Sequence, residues 1–446
     1  MPSDILIING RLLTLAGGHT DILPHGYVRI KDGLITETGP MSLISDTPVA
    51  EIIDAAGMLV MPGLVNTHTH AAMTLFRGLA DDLPLMVWLQ EHIFPAEGKF
   101  VNPEMVYWCT KLAAAEMIMS GTTTVADGYF HEDSAMKAFI ETGMRAVAAQ
   151  GVIDFPAPGV PDPAENVRHA GKFIDRWSQV HPLITPALFC HSPYTCGPET
   201  LQKAKDMTRR KNARLFIHVA ETAQETSQCL DQYGKTPVRH LHALGILDSR
   251  TICVHAVHLD QEELSILQQT DAKVSSCTES NMKLASGIPP VTDMLAQGIS
   301  VGLGTDSCAS NNNLDLFEEM DSCAKVQKAR SLDPTALPAR TVLNMATRQG
   351  ADILGLGDSI GSLEAGKQAD VIILDLNCPN LTPLYNADLL VYAAKGANVT
   401  TSIIGGKLVM KDRKIMTFDV DEVMHRVREM SRELLPGNGQ GTNYAG

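Results

Sequence analysis

The chain has 446 residues, enough for one large domain or two with an ample interior. Hydrophobic residues make up 44% and charged residues 20%, the ordinary balance of a soluble globular protein. With 36 basic residues against 51 acidic ones the net charge is -15 and no basic run occurs, which argues against nucleic acid or an anionic membrane surface as partner.

The chain begins Met-Pro-Ser-Asp-Ile, with no basic stretch ahead of an apolar core, and no run approaches about 18 apolar residues; neither a signal peptide nor a membrane span is expected. Residues 5–13, 27–31, 34–37 and 51–54 read as short β runs separated by turns such as Lys31-Asp32-Gly33. From residue 59 the pattern changes. Val/Ile/Leu-rich runs at 59–65, 122–127, 146–153, 184–190, 215–219, 251–254, 273–276 and 300–304 alternate with amphipathic stretches such as 103–120, 163–179, 198–211, 261–270 and 290–297. Strand and helix in alternation imply a parallel sheet, and eight repeats imply a closed barrel. Helices are expected at 314–329 and 334–354. Residues 369–374, 400–404 and 407–410 then resume the β style, with a Gly405-Gly406 turn between the last two.

The expected fold is therefore α/β: a (β/α)8 TIM barrel over 63–363, with a small β-sandwich domain built from both termini, 1–62 and 364–446. The tail at 436–441, Pro-Gly-Asn-Gly-Gln-Gly, is expected to be disordered. The nine cysteines are odd in number, scattered and never spaced Cys-x-x-Cys, which predicts free thiols in a reducing, cytoplasmic setting.

Residues 65–70 read Val-Asn-Thr-His-Thr-His and end an apolar run. Two histidines one residue apart at a strand end point to the same side and can grip one metal ion, although such a pair alone is as readily a polar loop. Further partners stand at the ends of later apolar runs: His218 in Phe-Ile-His-Val-Ala-Glu-Thr, His255 in Cys-Val-His-Ala-Val-His, and Asp306 in Gly-Leu-Gly-Thr-Asp-Ser. In a parallel barrel all these positions fall on one rim, where active sites of this architecture lie. From His68 to Asp306 the chain runs 238 residues, close to the roughly 250 of such a barrel.

The ordered set His68, His70, His218, Glu221, His255 and Asp306, with the lead-in Met-Pro-Gly-Leu-Val-Asn, resembles the amidohydrolase superfamily, and within it the deaminases of 5'-methylthioadenosine and S-adenosylhomocysteine. The resemblance runs from Ile5 to about Lys414. It implies one divalent ion, zinc in first place with iron or manganese as alternatives, held by His68, His70, His218 and Asp306. Binuclear relatives carry a lysine at the end of strand four, where this chain has His191, which favours one ion. The resemblance makes Glu221 a proton shuttle to the ring nitrogen. It makes His255 a hydrogen-bond partner of the attacking hydroxide or of the developing charge, and Asp306 a proton acceptor as well as a ligand; a solvated Glu221 and a helix-capping Asp306 are the structural alternatives. His258 is as well explained as a core histidine.

Glu97 matches a position that holds ribose hydroxyls, and His191 one that contacts the nucleoside. Trp88, in the apolar loop 83–89, is expected either to cover a flat heterocycle or to pack on the barrel. Gln150 stands where the family uses arginine, which favours methylthioadenosine, with its apolar tail, over S-adenosylhomocysteine. The expected partner is a small adenine nucleoside and the expected assembly a homo-oligomer. A cytidine-deaminase type is excluded, since His-x-Glu with Pro-Cys-x-x-Cys is missing. A guanine or s-triazine hydrolase on the same barrel is the main alternative, ahead of a cyclic-amide hydrolase or a non-catalytic binding protein.

Overall fold

The apolar run at 59–65, expected as one strand, is two strands in two different sheets. In the computed structural model, which describes residues 4–45 and 48–434, Leu59–Pro62 pairs with Ile5–Leu13 and Val371–Leu374, whereas Leu64–Thr69 pairs with Thr122–Tyr129. Gly63 is the passage between them. A β-carbon there would stand 2.1 Å from Thr123 Oγ1, so only a hydrogen fits. Unbroken apolarity conceals the switch because both strands are buried on both faces. Gly63→Ala is expected to lower stability by about 1–3 kcal/mol through overpacking against Thr123. The check is a lower urea midpoint at an unchanged slope.

The barrel strands are Leu64–Thr69, Thr122–Tyr129, Arg145–Val152, Ile184–Cys190, Leu215–Val219, Thr251–His255, Lys273–Ser276 and Val301–Leu303, parallel and in chain order. The seam between first and eighth strands relies on side chains. Thr67 Oγ1 donates to the Leu303 carbonyl at 2.8 Å, Asn66 Nδ2 donates to Thr305 Oγ1 at 2.7 Å, and the Thr305 amide donates to Asn66 Oδ1 at 3.1 Å. One backbone bond, Asp306 N–H to the His68 carbonyl at 3.1 Å, fixes the metal-side end of the seam.

The helix expected at 334–354 is two, Ala339–Met345 and Arg348–Ile353, broken at Thr347, whose φ of -133° and ψ of -95° are not helical. The second plugs the barrel's N-terminal end. Ala351, Ile353 and Leu354 pack there with Val65, Ala126, Val147 and Ile252 from the strands, so water is kept from that end and the opposite rim is left to the loops. Pro103–Met119, Pro198–Lys211 and Gln261–Thr270 form where their amphipathic patterns predict them.

Both termini meet in a nine-stranded mixed sheet with its own apolar core of Ile5, Ile7, Val28, Ile30, Val371 and Ile403 among others. Arg145 at the start of the third barrel strand joins the two units: its guanidinium donates twice to Asp370, at 2.8 Å each, with both side chains buried. Removing either partner of such a pair strands a buried charge, at a cost of about 3–5 kcal/mol. All nine cysteines are free and eight are buried. Among the described residues no helix is long and apolar enough to cross a membrane. The tail at 436–441 lies outside the described residues.

Candidate active site

Four donor atoms converge at the C-terminal rim. His68 lies in the first strand and His70 just past its end, on the same side because side chains alternate. His218 comes from the fifth strand, and Asp306 follows the eighth, where its backbone turns left-handed at φ 58°. The Nε2 atoms of His68 and His218 face each other at 3.2 Å, and Asp306 Oδ1 lies 3.5 Å from Nε2 of both His68 and His70. All four donors fall within 4.8 Å of one another, and all four residues are buried. Donors held about 2.0–2.1 Å from a tetrahedral zinc stand roughly 3.3 Å apart, so the spacing fits one divalent ion.

Protonation fits as well. His70 Nδ1 gives its hydrogen to the Gly128 carbonyl, which can only accept, so Nε2 faces Asp306 bare. Asp306 Oδ2 accepts from the hydroxyls of Ser280 at 2.6 Å and Ser310 at 2.8 Å, which leaves Oδ1 toward the histidines. Burial pulls His68 down to about 4 and lowers His70; burial and the surrounding imidazoles push His218 well below its ordinary value. For Asp306 burial acts upward, but the bond with His68 and the fields of His255 and His70 outweigh it and hold the carboxylate well below its usual range. The set thus brings one carboxylate together with three imidazoles whose protonation burial opposes. A cation relieves that arrangement.

Glu221 and His255 line the same cavity as His70, His218 and Asp306. His255 Nε2 lies 3.7 Å from Glu221 Oε2, and His255 Nδ1 lies 2.9 Å from Asn281 Oδ1. Burial, and then the charge of Asp306, raises the Glu221 carboxyl to about 8. Phe189 also lines the space, its ring 4.9 Å from that of His218 and 5.6 Å from that of His70. The apolar loop of 83–89 is helical instead: Leu85–Val87 leads into a π-helical turn, Trp88–Ile93, and then Phe94–Phe100. Trp88, Leu89, Ile93 and Phe94 form one wall. Glu97 on the same segment is 7% exposed, accepts from the Tyr129 hydroxyl at 2.6 Å, and is raised by burial to about 7.

Residues 59–409 match the amidohydrolase family. The chain belongs to that family. A protein of Syntrophobacter fumaroxidans named 5-methylthioadenosine/S-adenosylhomocysteine deaminase is 49% identical over 436 residues, which cover 97% of this chain and 99% of the relative. The crystal structure of an adenosine deaminase from Xanthomonas campestris with bound zinc superposes with a TM-score of 0.94 at 37% identity, covering 97% of this chain and 99% of that one. Atrazine chlorohydrolase TrzN from Arthrobacter aurescens TC1, complexed with zinc, has a TM-score of 0.88 at 23% identity over 96% of this chain and 100% of its own, and shows the shared fold.

Not every residue singled out from sequence reaches the cavity of this amidohydrolase. His191 does: its ring lies 5.3 Å from that of His218, Nδ1 meets Thr195 Oγ1 at 3.0 Å, and burial lowers it to about 3. Gln150, expected at the substrate, stands outside the cavity lining. It is 1% exposed, its Oε1 accepts from the Glu132 amide at 3.4 Å, and its Nε2 donates to the Gly151 carbonyl at 3.3 Å. The amide meets nearby backbone, and Gly151 and Val152 line the cavity. His258 Nε2 is held by the Ser286 carbonyl at 2.8 Å, outside the cavity lining. Ser280, Ser310, Asn281 and Tyr129 were not foreseen. Their one signal is position at or beyond a strand end, which Thr278-Glu-Ser-Asn281 shares with many ordinary loops.

Proposed function

We propose that this amidohydrolase is a metal-dependent deaminase that hydrolyses the 6-amino group of an adenine nucleoside to the inosine product and ammonia, with 5'-methylthioadenosine the preferred substrate and zinc the ion. One observation carries the reading: His70, His218 and Asp306 of the four-donor group and the buried carboxyls of Glu221 and Glu97 all open on one cavity. The names of the relatives support the reaction class, and nine free cysteines support a reducing compartment such as the cytoplasm.

His68, His70, His218 and Asp306 would hold a divalent ion, which would supply water acidified from about 15.7 to about 7. The chain supplies the rest. Glu221 passes a proton to the ring nitrogen beside the amino-bearing carbon, which makes that carbon electrophilic. His255, with Nδ1 turned to Asn281, directs Nε2 toward the attacking oxygen, and Asp306 Oδ1 accepts its proton. A carbon–oxygen bond forms, the exocyclic carbon–nitrogen bond breaks, and the protons returned to the leaving nitrogen release it as ammonia.

Glu97 would accept two ribose hydroxyls, and hydrogen bonds to a charged group are worth about 1.5–3 kcal/mol each. Glu97→Ala should therefore cost at least about a hundredfold in kcat/KM for methylthioadenosine and less than about threefold for a free base or a triazine. Because burial raises Glu97 to about 7, its ionised grip is complete above that pH and fades below it. The nucleoside KM should rise as the pH falls through 7, a limb that Glu97→Gln should lack. Equal losses on all substrates would show that Glu97 holds the wall and not the ribose.

No lysine or arginine is among the described residues that line the cavity, and Phe94 packs edge-to-face on Phe155 at 5.5 Å beside it. This apolar surface supports a methylthio tail over a zwitterionic one. Ammonia release from methylthioadenosine, S-adenosylhomocysteine, adenosine, guanine and melamine by the metal-loaded enzyme tests the choice. A preference for guanine or melamine would favour the second reading, a base or triazine hydrolase on the same fold, and sink the nucleoside assignment.

A further inference from the structure

We infer that Glu225 is a positioning residue for Glu221. The inference rests on the proton-shuttle role proposed above. Glu225 is 4% exposed, and its carboxylate spans the turn that follows the fifth strand: Oε1 accepts the Ala220 amide at 2.9 Å and Oε2 the Glu221 amide at 2.7 Å. An acid at this place in a helix ordinarily reaches back to the amide of the capping residue. The cap here is Thr222, whose Oγ1 accepts from the Glu225 amide at 3.1 Å. The Glu225 side chain instead passes the cap and takes the two amides before it, so it serves the turn that carries Glu221.

That turn needs holding. Ala220 is left-handed at φ 52°, a conformation that costs a non-glycine residue on the order of 1 kcal/mol or more. The Ala220 carbonyl is fixed from the other side, accepting from the amides of Val257 at 3.0 Å and His258 at 2.9 Å. The Ala220–Glu221 peptide is therefore clamped at both ends, by Glu225 on one and by the turn after His255 on the other. Glu221 and His255 are thereby set in one frame, with their side chains 3.7 Å apart. Two donors one residue apart call for two acceptors. A carboxylate offers both, whereas an amide offers one acceptor and sets its own N–H groups against the second donor.

The test is a double-mutant cycle of Glu225→Gln with Glu221→Gln, assayed on methylthioadenosine. Glu225→Gln alone should lower kcat about 10- to 100-fold, the size of effect expected from a displacement of about 1 Å at a reacting group. KM should stay within about threefold and metal content should not change. In the Glu221→Gln background the same substitution should cost less than about twofold, because a group that acts only through Glu221 has nothing left to position. Amide hydrogen exchange at residues 220 and 221 should quicken at least about tenfold in Glu225→Gln. Should that variant fail to fold, Glu225→Asp, too short to reach both amides, takes its place in the same cycle. Equal losses in both backgrounds, loss of metal, or unchanged exchange would overturn the inference while leaving the shuttle intact. Wild-type turnover by Glu221→Gln would overturn the shuttle and this inference with it.

Discussion

Glu221→Gln is expected to lower turnover at least about a hundredfold while keeping its metal and its affinity for substrate. The amide has the shape of the protonated carboxyl but cannot pass a proton to the ring nitrogen, and positioned acid–base groups contribute roughly 100- to 10,000-fold. A hundredfold is about 2.7 kcal/mol of barrier. Burial raises the wild-type carboxyl to about 8, and the amide is nearly isosteric with it, so little repacking should follow. Glu221 also stands outside the four-donor group, which is why metal should remain. Elemental analysis beside steady-state kinetics decides the point: loss of metal along with activity would make Glu221 a ligand.

Asp306→Asn is expected to have the larger effect. Asp306 is the one ionised member of the donor set, the histidines being neutral through burial. Its Oδ2 is already held by Ser280 and Ser310. An amide removes the charge that favours a divalent ion and can turn an N–H group toward His68 and His70. Metal content should drop from about one equivalent to below about a tenth, and turnover at least about a thousandfold, since the ion's effect on water spans nearly nine pKa units. Chelation of the wild-type protein should act in parallel and lower Tm, because a ligand at about a hundred times its Kd stabilises the fold by about 2.7 kcal/mol. Two tightly held ions in the wild-type protein, or one ion undisturbed by Asp306→Asn, would refute the four-donor site.

Much of this site is legible along the chain because its residues mark strand ends. His68 and His70 share a face through a two-residue repeat, and His218, His255 and Asp306 each close an apolar run, which places them on one rim of any parallel barrel. Gln150 stands outside the cavity lining for a reason the local pattern does not carry. It lies in the third strand at the same rim, but its side-chain oxygen meets the Glu132 amide, and nothing in the local pattern announces that partner. The helical wall from Leu85 to Phe100 was hidden by proline and by a run too apolar to show a helical period.

The sequence by itself determined what depends on neighbours along the chain: eight alternating strands and helices, β runs at both ends, a chain without a basic surface, and a metal-binding pair one residue apart. Only the tertiary structure decided what depends on atoms far apart in it. The switch of sheets at Gly63 follows from Thr123, sixty residues on. The 3.2 Å approach of His68 to His218 exists because the barrel closes. The raised carboxyls of Glu97 and Glu221 arise from burial, which no single segment possesses. Periodicity encodes local conformation, whereas distance, desolvation and hydrogen-bond partners are properties of packing between segments that the periodicity does not pair.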